Sequence, residues 1–330
     1  MDSRSVEIAT YTPRGSAGDP LQHFTLGHVA FYNNVGRTEV NPIPTDPDAI
    51  RAGIRYRFAA YPILEPTSLR GLGFLRYRNI DPTVDDNTWQ FNPSTRRMRR
   101  ASSSTLSDTI GPVGGMVSVG ASANPFAGGS GGSGAGSGPA ATYTTTLDPD
   151  SYFGFAAKIE DFNHKLLAVK PMLAVVHAET SPARPCADDG GRTICPENWE
   201  MQHLYVIEAD AKKSSILGTG ITIPKRILYI DSEAWFITAS DQYDQDGRRW
   251  KTIATFNAYR DRPVPNPRIA IWPFKRSFQT ALVDENVQDG VSTVVYSAGR
   301  EGEDRESWYI NMGVISNASL HPQALESAGH

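Results

Sequence analysis

The 330-residue chain has no apolar run approaching the ~18 residues of a membrane-crossing helix; its longest runs reach about five residues, as at 172–176. It is not expected to span a membrane. Charge of one sign is also lacking. The 32 Lys and Arg stand against 36 Asp and Glu, a net charge of −4, which argues against nucleic-acid binding through a global positive field and leaves only local basic patches. No Gly-x-Ser-x-Gly, Walker or His-Glu-x-x-His sequence occurs, and the seven histidines are scattered at His23, His28, His164, His177, His203, His321 and His330,. No catalytic constellation, metal cluster or cofactor motif follows from them, so a non-enzymatic protein is expected. The opening Met1-Asp2-Ser3-Arg4 is not followed by an apolar core of roughly 7–15 residues, so the chain shows no secretory signal,. Apolar residues at 39%, with 29 Gly besides, give an ordinary globular composition. Collagen-like, coiled-coil and wholly disordered classes are thereby excluded.

What is present is period-two alternation. Residues 54–59 and 72–78 set apolar or aromatic side chains against Arg, as in half-buried antiparallel strands,. Further strands are predicted at 28–33, 88–92, 165–170, 173–178, 204–209, 225–231, 235–243, 250–259, 293–298 and 307–313. Lys170-Pro171 marks a reversal or an edge, because proline cannot donate to a central ladder. Asp244-Gln245-Asp246-Gly247 reads as a tight hairpin turn. Short strands with few amphipathic helices favour an antiparallel sheet, sandwich or barrel. One helix is predicted to open at Asp148-Pro149-Asp150, with Tyr152, Phe153, Phe155, Ile159 and Phe162 on an aromatic face,. Residues 102–147 form a loose Gly/Ser-rich stretch, read as a flexible insertion within a single domain spanning 1–330,.

Cys186 and Cys195 flank Asp188-Asp189-Gly190-Gly191, a turn that makes a disulfide geometrically easy; two unpaired thiols are the alternative,. A disulfide would place maturation in an oxidising compartment. His177-Ala178-Glu179 followed by Pro185-Cys186 has a zinc-deaminase flavour, but eight residues between the cysteines do not supply the paired thiolates of that chemistry,. Asp241, Asp244 and Asp246 fit a hairpin better than a calcium loop, lacking the terminal bidentate Glu,. The cluster Arg96, Arg97, Arg99 and Arg100, with Arg55, Arg57, Arg76 and Arg78 alternating on nearby strands, has two readings: a solvated face neutralised by Asp81, Asp85 and Asp86, or a site for an acidic partner or anionic lipid headgroups,. The aromatics Trp89, Phe91, Trp235 and Trp250 fall on predicted strands. Core packing explains them, yet a curved sheet crossed by a helix also leaves room for an apolar ligand,.

Residues 71–82, beginning Gly71-Leu72-Gly73-Phe74-Leu75-Arg76-Tyr77-Arg78, run into Asp85-Asp86-Asn87-Thr88-Trp89-Gln90-Phe91-Asn92-Pro93-Ser94-Thr95 and the arginine cluster. Together with Trp199-Glu200, Val206-Ile207-Glu208-Ala209, Lys225-Arg226-Ile227-Leu228-Tyr229-Ile230-Asp231 and Asp241-Gln242-Tyr243-Asp244, this pattern resembles the proteobacterial domain of unknown function 1329 family. The resemblance implies a mainly β fold similar to LolA/LolB lipoprotein-sorting carriers: a strongly curved antiparallel half barrel with short helices on its concave face. It further implies a periplasmic protein, its signal already removed, that shelters a lipid or acyl chain and hands it between outer-membrane or membrane-transporter partners. An envelope sensor or interaction module without a transported ligand is the alternative. Cavity candidates are then Tyr152, Phe153, Phe155, Ile159, Phe162, Trp89, Phe91, Trp235 and Trp250. The Gly/Ser-rich stretch departs from the family pattern.

Overall fold

A computed structural model describes residues 2–12, 23–65, 67, 70–93, 95–101, 152, 154–178, 184–195, 197–212, 223–259, 277–288, 290–297, 308–311, 313 and 315–328. Alternating side chains build long strands that pair almost entirely with sequence neighbours. The N-terminal half contributes β1 (Ser3–Thr12), β2 (His23–Asn33), β3 (Ile54–Glu65), β4 (Gly73–Asn79), β5 (Asn87–Asn92) and β6 (Arg97–Ala101), with a short α1 (Pro47–Arg51) before β3. After β7 (Phe162–Ala174) come two short strands, β8 (Arg184–Pro185) and β9 (Ile194–Cys195). The rest comprises β10 (Glu200–Ala211), β11 (Lys225–Asp231), β12 (Ile237–Tyr243), β13 (Arg249–Tyr259), β14 (Ser277–Asn286), β15 (Val291–Ser297), β16 (Trp308–Ile310) and α2 (Pro322–Ala328).

Fourteen of these strands form one antiparallel sheet of order β6-β5-β4-β3-β2-β1-β15-β14-β13-β12-β11-β10-β7, with β16 added to β1 beside β15. The sheet is not closed, and among the described residues β6 and β7 are its edges. Its curvature follows from what the crossing segment 152–161 touches. The Tyr152 ring lies 6.2 Å from that of Phe58 on β3, while a Cβ on Gly154 would fall 2.6 Å from Ile237 on β12. Six strand spacings separate β3 from β12 along the sheet, about 29 Å if it were flat, whereas residues 152 and 154 are at most about 7 Å apart. Only a sheet curled around the segment brings both strands to it. The half barrel implied by the family resemblance is therefore the observed architecture, and the face carrying the segment is its inner one.

Packing differs on the two faces. Inside, Val6, Ile8, Val29, Phe58, Ala60, Phe74, Leu282 and Val295 gather around Tyr152. Outside, Leu320 and Leu325, before and within α2, cover Ala59, Leu75, Tyr77 and Phe91. Farther along the outer face, Val175, Ala178 and Ile194 cover Phe256, Ala281, Val283 and Val294. The disulfide Cys186–Cys195, with Cα atoms 4.8 Å apart, closes the loop that supplies Ile194.

Several sequence expectations need correction. The expected helix holds at Tyr152, which is helical, but does not continue through 154–162. Gly154 adopts φ +72, residues 155–158 are extended or bent, 159–161 make one turn of 3-10 helix, and Phe162 already begins β7. Residues 165–170 and 173–178 are not two hairpin strands: β7 runs unbroken to Ala174 with Pro171 inside it, tolerated because β7 is an edge,. Arg76 does not project to solvent. Its side chain is 2% exposed on the inner face beside Phe58 and Phe74, because α2 occupies the opposite side of β4. The expected insertion at 102–147 lies outside the described residues.

Candidate functional site

The crossing segment is fastened at both ends of its course. Arg78 on β4 donates from Nη2 to the carbonyl of Ala156 at 2.7 Å, and Lys158 Nζ donates to the carbonyls of Pro82 at 2.5 Å and Val84 at 3.0 Å. Asp86 holds the arginine in place, accepting from Arg78 Nε at 2.8 Å and Arg76 Nε at 2.7 Å. Arg76 is buried and the side chains of Arg78 and Asp86 are largely shielded, so breaking one partner costs more than a surface pair returns,. On the far side, Phe155 packs edge-on against Phe162 at 5.3 Å, and the fully buried guanidinium of Arg226 lies 5.4 Å and 5.0 Å from their ring centres. Arg226 also donates to the carbonyl of Ile223 at 2.7 Å. Nearby, burial and the Lys212 ammonium hold the His164 imidazole below its ordinary pKa.

Between the segment and β2–β4 lies a cleft of about 280 Å³. Phe31, Tyr56, Ile80, Pro82, Phe155 and Ile159 supply apolar walls, and Arg55, Arg78, Lys158 and Glu160 supply charge. The Phe31 and Tyr56 rings stack at a tilt, 4.9 Å apart, with the Arg78 guanidinium 5.6 Å from the Tyr56 centre. This is a wall for an apolar body beside a group of cations. Its volume falls just under the roughly 300 Å³ at which ordinary small-molecule pockets begin. The middle of the inner face is different. Tyr152 fills it, its phenol pushed upward in pKa by burial and by the Asp284 carboxylate, and only about 30 Å³ remains beside Val6, Ile8, Val29, Leu282 and Val295.

The sequence-derived candidates do not converge on one cavity. Phe155 and Ile159 line the cleft, Tyr152 plugs the middle, and Phe162 backs Phe155. Trp89 and Phe91 belong to the outer cluster beneath α2, where Trp89 meets Tyr77 edge-on at 4.8 Å. Trp235 stands exposed on the β11–β12 turn, and Trp250 is half-buried with the Lys251 ammonium 4.6 Å from its ring centre. Phe153 lies outside the described residues. Phe31, Tyr56 and Lys158 were missed, although Tyr56 facing Arg78 across β3–β4 is legible from the two alternating runs.

The cluster at Arg96, Arg97, Arg99 and Arg100 is exposed on and beside the edge strand β6. Asp86 does neutralise Arg76 and Arg78 of that group, but as a pair turned inward and not on a solvated face, and Asp81 is turned into its own Thr83. Asp244 accepts from the backbone N–H groups of Asp246 and Arg248 in the β12–β13 hairpin.

Residues 8–130 and 135–325 match the family described as Protein of unknown function (DUF1329). The chain belongs to the DUF1329 family. The match passes through most of the Gly/Ser-rich stretch and is interrupted only at 131–134. The fold is shared with a DUF1329 protein from Desulfovibrio piger, at a TM-score of 0.56 and 13% identity, covering 98% of this chain and 91% of that one. A domain from Vibrio parahaemolyticus, described by inference as an outer membrane lipoprotein-sorting protein domain, is equally similar: TM-score 0.55, 13% identity, 98% and 91% covered. A LolA superfamily protein from Nitrosomonas europaea aligns at a TM-score of 0.44 and 16% identity, over 92% and 88% of the two chains. No curated protein matches.

Proposed function

We propose that this DUF1329 protein is a non-enzymatic periplasmic carrier or chaperone that holds a lipid or acyl chain and passes it between envelope partners. The observation that carries the reading is the cleft, with Phe31, Tyr56, Phe155 and Ile159 around a fixed crossing segment and Arg55 and Lys158 beside them. Each methylene buried there contributes about 0.8 kcal/mol, and the cations suit an anionic head. The lipoprotein-sorting description of the Vibrio structure supports the same reading, as does the disulfide, which suits an oxidising compartment,. Handover then needs a membrane-complex partner that binds ligand or open protein more favourably.

Native mass spectrometry with lipid extraction, followed by titration with a fluorescent fatty acid, tests this. Copurified apolar ligand and at least tenfold weaker binding by Ile159→Asp are expected, Ile159 being exposed and tolerant of change. Failure to recover a ligand, with no fatty-acid binding by the natural sequence, removes the reading. A sensor or interaction module is the second reading, favoured by the plugged middle of the inner face. It predicts an unliganded protein that is captured by a transporter partner.

A further inference from the structure

The ribbon made by β7 and β10 has two unlike sides. Backbone pairing puts Val169, Pro171 and Leu173 opposite Tyr205, His203 and Met201, and past a bulge Leu166 opposite Ile207, all on the side that ends at Phe162. No carboxylate of either strand lies on that side. Glu200, Glu208 and Asp210 alternate onto the other one, where Glu200 meets His177 Nδ1 at 2.8 Å and Glu208 meets Lys225 Nζ at 2.6 Å. The carboxylate-free side is nonetheless wet: Leu166 is 56% exposed, Val169 52%, Leu173 59% and Met201 63%. From Leu166 to Leu173 this stripe runs about 24 Å.

Trp235 extends it. The residue is 71% exposed, stacks on Tyr205 at 5.2 Å, and is held at φ +59, a left-handed conformation that a bulky side chain rarely adopts,. The turn keeps it there through the buried Asp231, whose Oδ2 accepts from the N–H groups of Glu233 and Ala234. A strained backbone that displays an indole to solvent calls for a use of that indole.

We propose that this side of the ribbon is a membrane-docking surface that settles into the headgroup boundary of a bilayer containing anionic lipid. The chemistry selects a lipid surface. The stripe is apolar and free of carboxylates, it ends on an amphipathic indole, and the exposed Lys165 and Lys170 sit on the neighbouring side of β7 with stems long enough to reach headgroups,. Addition of a strand from another copy is discouraged, because Pro171 has no N–H to donate and the bulge at Val206/Ile207 breaks the regular edge,.

Vesicle co-sedimentation of the full chain tests the proposal, using phosphatidylcholine with and without a fifth of phosphatidylglycerol. The natural sequence should sediment with vesicles, more strongly when phosphatidylglycerol is present. Leu166→Ser/Val169→Ser/Leu173→Ser should bind at least tenfold more weakly, and Lys165→Gln/Lys170→Gln should lose the phosphatidylglycerol preference. Trp fluorescence should shift to the blue on binding, and Trp235→Phe should remove most of that shift; this second variant keeps the test intact if the triple one misfolds. Ile159→Asp should bind vesicles normally, which separates this surface from the cleft. No sedimentation by the natural sequence overturns the proposal, as does unchanged binding by the serine variant. A dimer that the serine substitutions dissociate, with no vesicle binding, overturns it in favour of a second copy of the chain.

Discussion

Two residues carry unusual constraints. Gly154 is buried at φ +72, and any Cβ there would lie 2.6 Å from Ile237 Cβ and 2.9 Å from its Cδ1. Alanine at 154 combines left-handed backbone strain with overpacking, so Gly154→Ala should lose about 2–4 kcal/mol in urea unfolding. Asp2 anchors the start of β1: its carboxylate accepts from the backbone N–H groups of Thr38, Glu39 and Val40, while Asn311 Oδ1 accepts from Asp2 and Ser3 N–H. Burial alone would push the Asp2 carboxyl up, but those three donors bring it below its ordinary pKa. A depressed carboxyl contributes stability that is present above its unfolded-state value and is lost as the pH falls through its folded-state value. Denaturant midpoints measured from pH 7 to 2.5 should therefore fall less for Asp2→Asn than for the natural sequence across the acid range below about pH 4, from a start lowered by about 1–3 kcal/mol. Equal acid slopes would show that Asp2 is not a contributor.

At the scale of elements, the strands were legible where alternation was strong. The 225–231 expectation coincides with β11, 88–92 lies within β5, and the Asp244–Gly247 turn joins β12 to β13, with Gly247 at φ +75. The end of the helix was not legible: Tyr152 is helical, but the spacing of Phe155, Ile159 and Phe162 fits a continued helical face as well as it fits a chain threading between two walls. Only the wall at Ile237, far away in sequence, decides between them. The arginines of β4 misled for a related reason: alternation reveals two faces but not that α2 covers the second. That cover is testable. Leu325 is 1% exposed against Leu75, Tyr77 and Phe91, and the Tyr77 hydroxyl donates to the carbonyl of Leu320 at 2.7 Å. Leu325→Ala should cost about 2–4 kcal/mol and raise hydrogen exchange first in β3–β5. Equal loss of protection in β10–β13 would mean that α2 supports the whole sheet and not one end of it.

For the whole molecule, the half barrel presents two chemically different apolar surfaces, a small cleft inside one wing and an exposed stripe on the other, and both are proposed to meet lipid. The near-zero net charge of −4 conceals both, since the cations gather at the cleft and along the edge strands while acids are turned into hairpins or inward pairs. Linkage separates the two sites. A ligand that binds only the folded state stabilises it by RT ln(1 + [L]/Kd), about 2.7 kcal/mol at a hundredfold excess over Kd. Monomeric fatty acid, kept below its micellar concentration, should shift the urea midpoint of the natural sequence and of Leu166→Ser/Val169→Ser/Leu173→Ser alike, because the cleft is intact in both. The same additions should move Ile159→Asp by no more than about half as much. Were the serine variant to lose the shift and Ile159→Asp to keep it in full, the stripe itself would be the acyl-binding site, and the cleft at Tyr56 and Phe155 would belong to packing alone.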